Sequence, residues 1–366
     1  MKFDFLIIGA GIYGSVCARE LSDAGYSCLV IDKRDHIGGN CYTYKQNNID
    51  VHKYGAHIFH TSNKKIWDYV NRFIEFNNYK HHVVANYNNE IYSLPFNMWT
   101  FNKFWGATTP EQARSIIDSQ KFIGNPSNLE EQALSMVGFD IYEKLIKGYT
   151  IKQWMTEPKN LPSDIITRLP LRFTYDNNYF HDTYQGIPKN GYTELFEKLL
   201  DGSTVELNVD YFDRRNYYDN ISKYIIYTGS VDKFYNLEFG MLDYRPLYFE
   251  HKILETNNYQ GHSVINYTDQ NIPYTRIIEH KHFNLTANNN ESNTIISKEY
   301  PIKWTGSEEP IYPVNNKENN EKYSKYIKLN QTNNRVFFGG RLAEYRYYDM
   351  HQVIGSALSR IKEIIR

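Results

Sequence analysis

Short unbroken apolar runs alternate along the chain with stretches whose apolar side chains recur at helical spacing. Phe3 to Ile8 is the first run and reads as a buried parallel strand. Cys17, Ala18, Leu21 and Ala24 then share one face of a helix, and Ser27 to Ile31 reads as a second strand. Val51 to His60 alternates in a strand-like way, bringing histidines toward the glycine turn. Val83 to Tyr87 and Glu90 to Leu94 flank Asn88-Asn89 and read as a hairpin. From about Met98 to Gly148 the pattern is helical, with Pro110-Glu111-Gln112-Ala113 as a helix start and Asn128 to Ala133 resembling a capping box. Strands return through about residue 315, interrupted by a helix over Gly191 to Leu200. Among them Ser222 to Tyr227 ends in Thr228-Gly229, like a core strand that reaches a ligand, and a last helix covers Val353 to Ile365. There is no internal repeat. The pattern predicts an α/β fold with one domain split in sequence.

The turn after the first strand carries the chemistry. In Gly9-Ala10-Gly11-Ile12-Tyr13-Gly14, Gly9 permits a tight turn, Gly11 lets the backbone approach a pyrophosphate, and Gly14 lets strand and helix pack closely. The helix N-terminus offers N–H donors to the anion. Asp32 ends the second strand, where a carboxylate can hold ribose hydroxyls. Arg34-Asp35-His36-Ile37-Gly38-Gly39-Asn40 then resembles the "ERxxxxGG" continuation of FAD-dependent amine oxidases, so FAD is expected rather than a nicotinamide. Near the other end, Gly340 to Met350 puts a cation, a carboxylate and several tyrosines on a turn before the last helix. Both ends of the chain thus serve one cofactor domain, with other structure inserted between them.

Composition narrows the class. The 366 residues can bury a sizeable core, and a net charge of −1 carries no polyanion-binding signature, so nucleic acid is not an expected partner. No stretch approaches the roughly 18 apolar residues of a membrane span. Asp4 and the glycine motif argue against a signal peptide. Cys17, Cys28 and Cys41 lack metal-ligand spacing and are expected to be reduced core residues in a cytoplasmic protein; no metal is expected. The Asn pairs read as turn chemistry.

The middle of the chain should hold the substrate. Lys147 to Trp154, Thr167 to Phe173, Asp176 to Phe180, Tyr184 to Pro188, Val264 to Tyr267 and Ile272 to His280 mix aromatics with polar groups. Arginines embedded in apolar, strand-like segments need anionic partners. Arg168 and Arg276 occur so and suit bidentate phosphate binding; salt bridges to Asp or Glu are the alternative.

Taken in order, GAGxxG, HIGGN, YGAHIFHT, KGYT-KQW, RLPLRF-YDNNYF, YQGIPK-GYT, YTRIIEHKHF and GGRLAEYRYYDM resemble the bacterial UDP-galactopyranose mutase family over essentially the whole chain. The resemblance implies an FAD enzyme, active when reduced, that interconverts UDP-galactopyranose and UDP-galactofuranose through a covalent flavin N5–sugar adduct. It implies a homodimer with a mobile loop, and a role in supplying surface polysaccharide synthesis. By the same resemblance, the FAD-binding Rossmann-like domain covers 1–80, 193–240 and 315–366. A helical insertion covers 98–150, and a mostly antiparallel-sheet substrate domain covers 81–97, 151–192 and 241–314.

Residue by residue, Arg168 and Arg276 match the family's diphosphate-binding arginines, and Tyr179, Tyr312 and Tyr347 its phosphate-contacting tyrosines. Tyr149 and Thr150 match the uridine segment, Asn266 a substrate contact, and Trp154 the residue beside the sugar. Gly11, Tyr13, Asp32, Lys33 and Asn40 match dinucleotide contacts, with Gly9, Gly14 and Gly39 shaping the cradle. His57 and Ile58 match the segment near the isoalloxazine, His60 would face the sugar pocket, Arg341 would face cofactor and substrate, and Asp349 and Met350 would cap the flavin. His81 stands at a substrate-binding position where the family often has asparagine, Met155 where glycine is common, and Leu145-Ile146 where some members have two phenylalanines against the uracil. A flavin amine oxidase would not need the two arginines. A non-catalytic UDP-sugar module would not need both flavin motifs, and a nicotinamide dehydrogenase has no place for the C-terminal one.

Overall fold

The computed structural model describes residues 2–167, 171–284, 292–331 and 333–365. These form two compact units. The first comprises 1–78, 182–246 and 304–366, and the second 79–181 and 247–303.

The first unit is built on a five-stranded parallel sheet. Strand β1 (Phe3–Ile8) is central, between β2 (Cys28–Ile31) and Ser222–Tyr227; Thr204–Glu206 and Val336–Phe338 form the edges. The period of two along β1 sorts its side chains. Phe5 and Ile7 enter a core with Val16, Cys17 and Leu21 of helix α1 (Ile12–Asp23), with Leu195 and Phe196, and with Val353, Ala357 and Ile361 of the last helix. Leu6 enters the opposite core, with Leu29, Ile225, Phe338 and a tyrosine-rich layer of Tyr211, Tyr218, Tyr326 and Tyr345. The doubly buried sheet explains why its strands read as apolar runs. Cys17, Cys28 and Cys41 are free and buried.

The second unit carries a six-stranded sheet in the order Leu247–Leu254, Thr294–Pro301, Arg276–Glu279, Val264–Tyr267, Val83–Tyr87, Glu90–Leu94. Every pairing in it is antiparallel except that of Val264–Tyr267 with Val83–Tyr87. Helices Met98–Trp105, Pro110–Gln120 and Leu129–Val137 share its core through Met98, Phe101, Ala113 and Ala133, packed with Ala85, Tyr92 and Tyr142. The helical stretch and the antiparallel sheet therefore form one unit.

Local chemistry accounts for most boundaries. Asn88 and Asn89 both take positive φ (49° and 66°) in the predicted hairpin turn. Thr109 and Gln112 cap the Pro110 helix reciprocally. Asn128 caps its helix by accepting from the Glu131 N–H, but the Glu131 carboxylate turns to Ser127, so only half of the expected box forms. The strand expected over Val51 to His60 is two short ones. Ile49–His52 pairs with Thr43–Gln46, and Phe59–Thr61 pairs with Tyr184–Gly186, because Gly55 (φ 96°) turns the chain between them. The helix expected from Gly191 starts at Thr193. The last helix starts at Met350, since Asp349 and Gln352 cap it there.

Candidate functional site

The first unit has a cavity at the end of β1. Gly9, Gly11 and Tyr13 line it, with Asp32 and Lys33 after β2, Gly39 and Asn40 from the next turn, and His57, Arg341 and Met350 from later segments. Gly14 works behind this wall. A Cβ there would stand 2.0 Å from the Gly9 carbonyl oxygen, so only glycine lets α1 lie this close to the turn. No side chain caps the first turn of α1, which leaves its N–H donors for an anion. Asp32 accepts from the N–H groups of Ala10 (2.8 Å) and Arg34 (2.9 Å), and so fixes the glycine turn to the end of β2.

Glu309, which no sequence motif marks, also lines the cavity and pairs with Lys33 at 2.6 Å. Burial pushes its carboxyl up, but Lys33 and Arg34 more than offset this and hold it below the usual range. Arg34 lies 4.4 Å from the Tyr54 ring centroid and donates to Asn40 Oδ1 at 3.0 Å. His57 is held neutral, its pKa lowered to about 4 by burial. Its Nδ1 meets the Gly55 carbonyl at 2.8 Å, and a carbonyl only accepts, so Nδ1 carries the proton and Nε2 is an acceptor.

Arg341 is fixed by the Tyr348 carbonyl (2.6 Å) and lies 5.0 Å and 5.5 Å from the rings of Tyr312 and Tyr347. Those two rings stack at 5.6 Å, so three of the expected residues form one cluster. Ile58 is buried, and Asp349 is the N-cap of the last helix; neither lines the cavity. His60 sits on the Phe59–Thr61 strand with Nδ1 2.5 Å from Asp182.

The second unit has its own pocket. Tyr149, Thr150, Trp154, Tyr179 and Asn266 line it, against an apolar wall that includes Phe96, Leu129, Leu145 and Ile146. A π-helical segment, Tyr142–Lys147, runs straight into the helix Gly148–Trp154, and such wide turns recur at functional sites. Gly148 lets this helix lie against the strand connection, since a Cβ would meet the Thr268 carbonyl oxygen at 2.4 Å. Asn266 Oδ1 is buried on the pocket wall without a hydrogen-bond partner, a cost that a ligand donor would remove.

Arg276 opens its strand, donates to the Tyr149 hydroxyl at 3.0 Å and pairs with Glu299 at 3.2 Å. The salt bridge and the pocket residue thus share one guanidinium. Burial raises the Tyr149 pKa and Arg276 opposes it, so the phenol stays protonated. Arg168 lies outside the described residues. His81 is buried behind the pocket: its carbonyl accepts from the Tyr179 N–H, its ring meets Tyr79 Oη at 3.1 Å, and it stacks on Phe180.

Two positioning cations were not singled out by sequence. Lys152 donates to the carbonyls of Tyr267 (2.6 Å) and Tyr274 (3.0 Å), tying the helix of Tyr149 and Trp154 to the segment between Asn266 and Arg276. Burial lowers its pKa to about 8. Arg172, its side chain 7% exposed, donates to the carbonyls of Asn178 and Tyr179 and to His181 Nε2, and pairs with Asp176 at 3.4 Å. It therefore shapes the turn that presents Tyr179. The rule that marked Arg168, a guanidinium within an apolar stretch, applies equally to Arg172 four residues later and would have found it. Arg172→Met should cost about 2–3 kcal/mol in urea unfolding, because buried carbonyls lose charged donors. It should also weaken ligand binding in this pocket, with Arg172→Lys restoring part of the loss; unchanged binding would separate this turn from the pocket.

Residues 144–347 match the family model described as UDP-galactopyranose mutase, and residues 7–73 match that of the NAD(P)-binding Rossmann-like domain. A probable UDP-galactopyranose mutase of Klebsiella pneumoniae is 40% identical, over 99% of this chain and 94% of its own. The chain belongs to the UDP-galactopyranose mutase family. It is thus a member of an isomerase family. A dTDP-fucopyranose mutase of Escherichia coli is also 40% identical, over 96% of each chain. Among solved structures, that of a reduced UDP-galactopyranose mutase superposes with a TM-score of 0.76 at 12% identity, covering 100% of this chain and 94% of the other, which shows the shared fold. Among the described residues, no helix is long and apolar enough to cross a membrane.

Proposed function

We propose that this protein binds FAD in the first unit and interconverts UDP-galactopyranose and UDP-galactofuranose. The reading rests above all on the second pocket, where the buried partnerless amide oxygen of Asn266 lies on the same wall as Tyr149, whose hydroxyl accepts from Arg276 just outside the lining, in a chain of this family. Held there in its reduced form, FAD would supply nucleophilic chemistry toward the anomeric carbon, whose bond to the diphosphate would break. Gly9, Gly11, Asp32 and Asn40 would hold the dinucleotide. His57 would present an acceptor nitrogen, and its neutral state avoids placing a second cation near Arg341.

The chain's own task at the sugar is to stabilise a departing diphosphate. Arg276 would take the phosphate oxygens with Tyr149 fixing its orientation, aided by Arg168 and Tyr179. Thr150 would hold the uridine, Trp154 would flank the sugar, and Asn266 would accept a hydroxyl proton. The protein is proposed to act in the cytoplasm as a homodimer, supplying furanose precursor for surface polysaccharide.

The aliphatic wall of Leu145 and Ile146 favours a second substrate reading, a thymine whose 5-methyl group is buried there, as in dTDP-fucopyranose. One methyl is worth about 0.8 kcal/mol, or roughly fourfold, which does not outweigh the other contacts. The deciding assay is anaerobic, with UDP-galactofuranose, with and without dithionite, and with dTDP-fucopyranose in parallel. Conversion to UDP-galactopyranose only with dithionite is expected. Faster turnover of the dTDP-sugar would move the assignment, and no turnover of either would overturn it.

A further inference from the structure

One cluster in the first unit joins two residues that the family resemblance puts near sugar and flavin with a histidine that it does not mark. One ligand atom each of His60, Asp349 and His351 lie within 4.8 Å of one another. They come from two elements. His60 is held on a strand by its pairing to Gln185. Asp349 and His351 are two residues apart, a spacing that diverges on a continuous helix. Here Asp349 is the N-cap, in extended backbone (φ −76°, ψ 161°), while His351 is already helical, so both side chains reach the same point.

The surroundings are those of a metal site rather than a chance meeting of polar groups. Asp182 meets His60 Nδ1 at 2.5 Å and is itself held by the Ser62 hydroxyl at 2.8 Å. A carboxylate bonded to one imidazole nitrogen fixes the tautomer that aims the other at a metal, and it raises that nitrogen's basicity. The rings of His60 and His351 meet edge-on, 5.3 Å apart. The His60 backbone hydrogen-bonds the His351 ring, and His351 Nδ1 is buried without a partner, which leaves that nitrogen open to a ligand. Two carboxylates, Asp182 and Asp349, offset the charge of an incoming dication at a helix N-terminus, where a cation is otherwise disfavoured.

We propose that His60, Asp349 and His351 form a binding site for a divalent first-row transition metal such as Zn²⁺. Two imidazoles and one carboxylate suit these ions and leave a fourth position open. Metal–ligand bonds of about 2.0–2.2 Å put tetrahedral donors roughly 3.4 Å apart, so the site closes with side-chain shifts of about 1.5 Å or less. The family resemblance gives His60 a place at the sugar, and on the functional reading above a metal on it would block turnover. Binding itself does not depend on that reading.

The test titrates chelator-treated, flavin-loaded protein with ZnCl₂ against a chromophoric chelator, together with the variants H351Q and D182N. The wild type should bind one Zn²⁺ per chain. H351Q should weaken binding at least tenfold and D182N about 10–100-fold, the usual effect of losing a carboxylate that orients a ligand histidine. Circular dichroism and flavin absorbance should be unchanged in both. Where the protein turns over a nucleotide sugar, Zn²⁺ should inhibit the wild type reversibly and H351Q far less. No stoichiometric Zn²⁺ in the wild type, or equal affinity in H351Q, would overturn the site; absent turnover with intact binding would strike only the substrate reading.

Discussion

Arg276→Ala is expected to lower turnover about 100-fold while the purified protein keeps its flavin. The argument starts from where charge appears. In the proposed reaction negative charge builds on the leaving phosphate as the anomeric bond breaks, so a guanidinium there would gain most in the transition state. A loss of about 3 kcal/mol corresponds to roughly 100-fold in rate. The flavin should be unaffected because the residues proposed to hold it belong to the first unit, whereas Arg276 lies in the second.

Removing Arg276 has a second effect. Glu299, its side chain 6% exposed, would keep only Thr275 as a partner of its carboxylate among those described, at a cost on the order of 1–3 kcal/mol. Arg276→Lys separates the two effects. It retains the charge beside Glu299 but cannot reproduce a planar fork, so it should restore stability and leave most of the rate defect. Single-turnover kinetics and urea unfolding on both variants would decide. Near-normal turnover in Arg276→Ala would remove the diphosphate role.

Gly14→Ala should abolish flavin retention and cost about 2–3 kcal/mol or more of stability. The added Cβ would lie 2.0 Å from the Gly9 carbonyl oxygen and 3.1 Å from Ile7 Cγ2, and the first of these is backbone that cannot rotate away. Relief requires α1 to lift from the turn, which opens its packing on the last helix. Gly355→Ala in that last helix is the control. Its Cβ would approach only the end of the Ile66 side chain, at 3.3 Å, and alanine is the better helix former by about 1 kcal/mol. Flavin absorbance per chain and urea midpoints should therefore move in opposite directions for the same substitution at two glycines of one core. A flavin-loaded Gly14→Ala would mean that the turn yields.

Where chemistry is local, the sequence was legible. Strands Phe3–Ile8, Ser222–Tyr227, Val83–Tyr87 and Glu90–Leu94 appear with the expected bounds, because doubly buried runs and an Asn-Asn turn leave few alternatives. The glycine turn and Asp32 were legible for the same reason, since they lie within one short stretch of chain; the cavity they line also takes residues from 209–212 and 309–311, which no motif marks. The second pocket was less so. Its support comes from Lys152 and Arg172 donating to backbone carbonyls, and a carbonyl acceptor leaves no mark on residue identity. The Asp182–His60 contact spans 122 positions, and nothing in either local pattern points to the other. Val51 to His60 misled because alternation tells that residues are extended, not which strand each one pairs with.

The order of strands in the first sheet carries a consequence for biosynthesis. β1 needs Ser222–Tyr227 as a neighbour, and that strand in turn needs Val336–Phe338. At translation rates of about 5–20 residues per second, the first strand waits roughly 10–40 s on the ribosome for its second partner. Until then Leu6 and Ile7 belong to a nascent chain with an open sheet edge, exposed to wrong pairings. The last helix, which completes the core over α1, is made long after the first strand, so flavin loading waits on a segment far along the chain from the glycine turn.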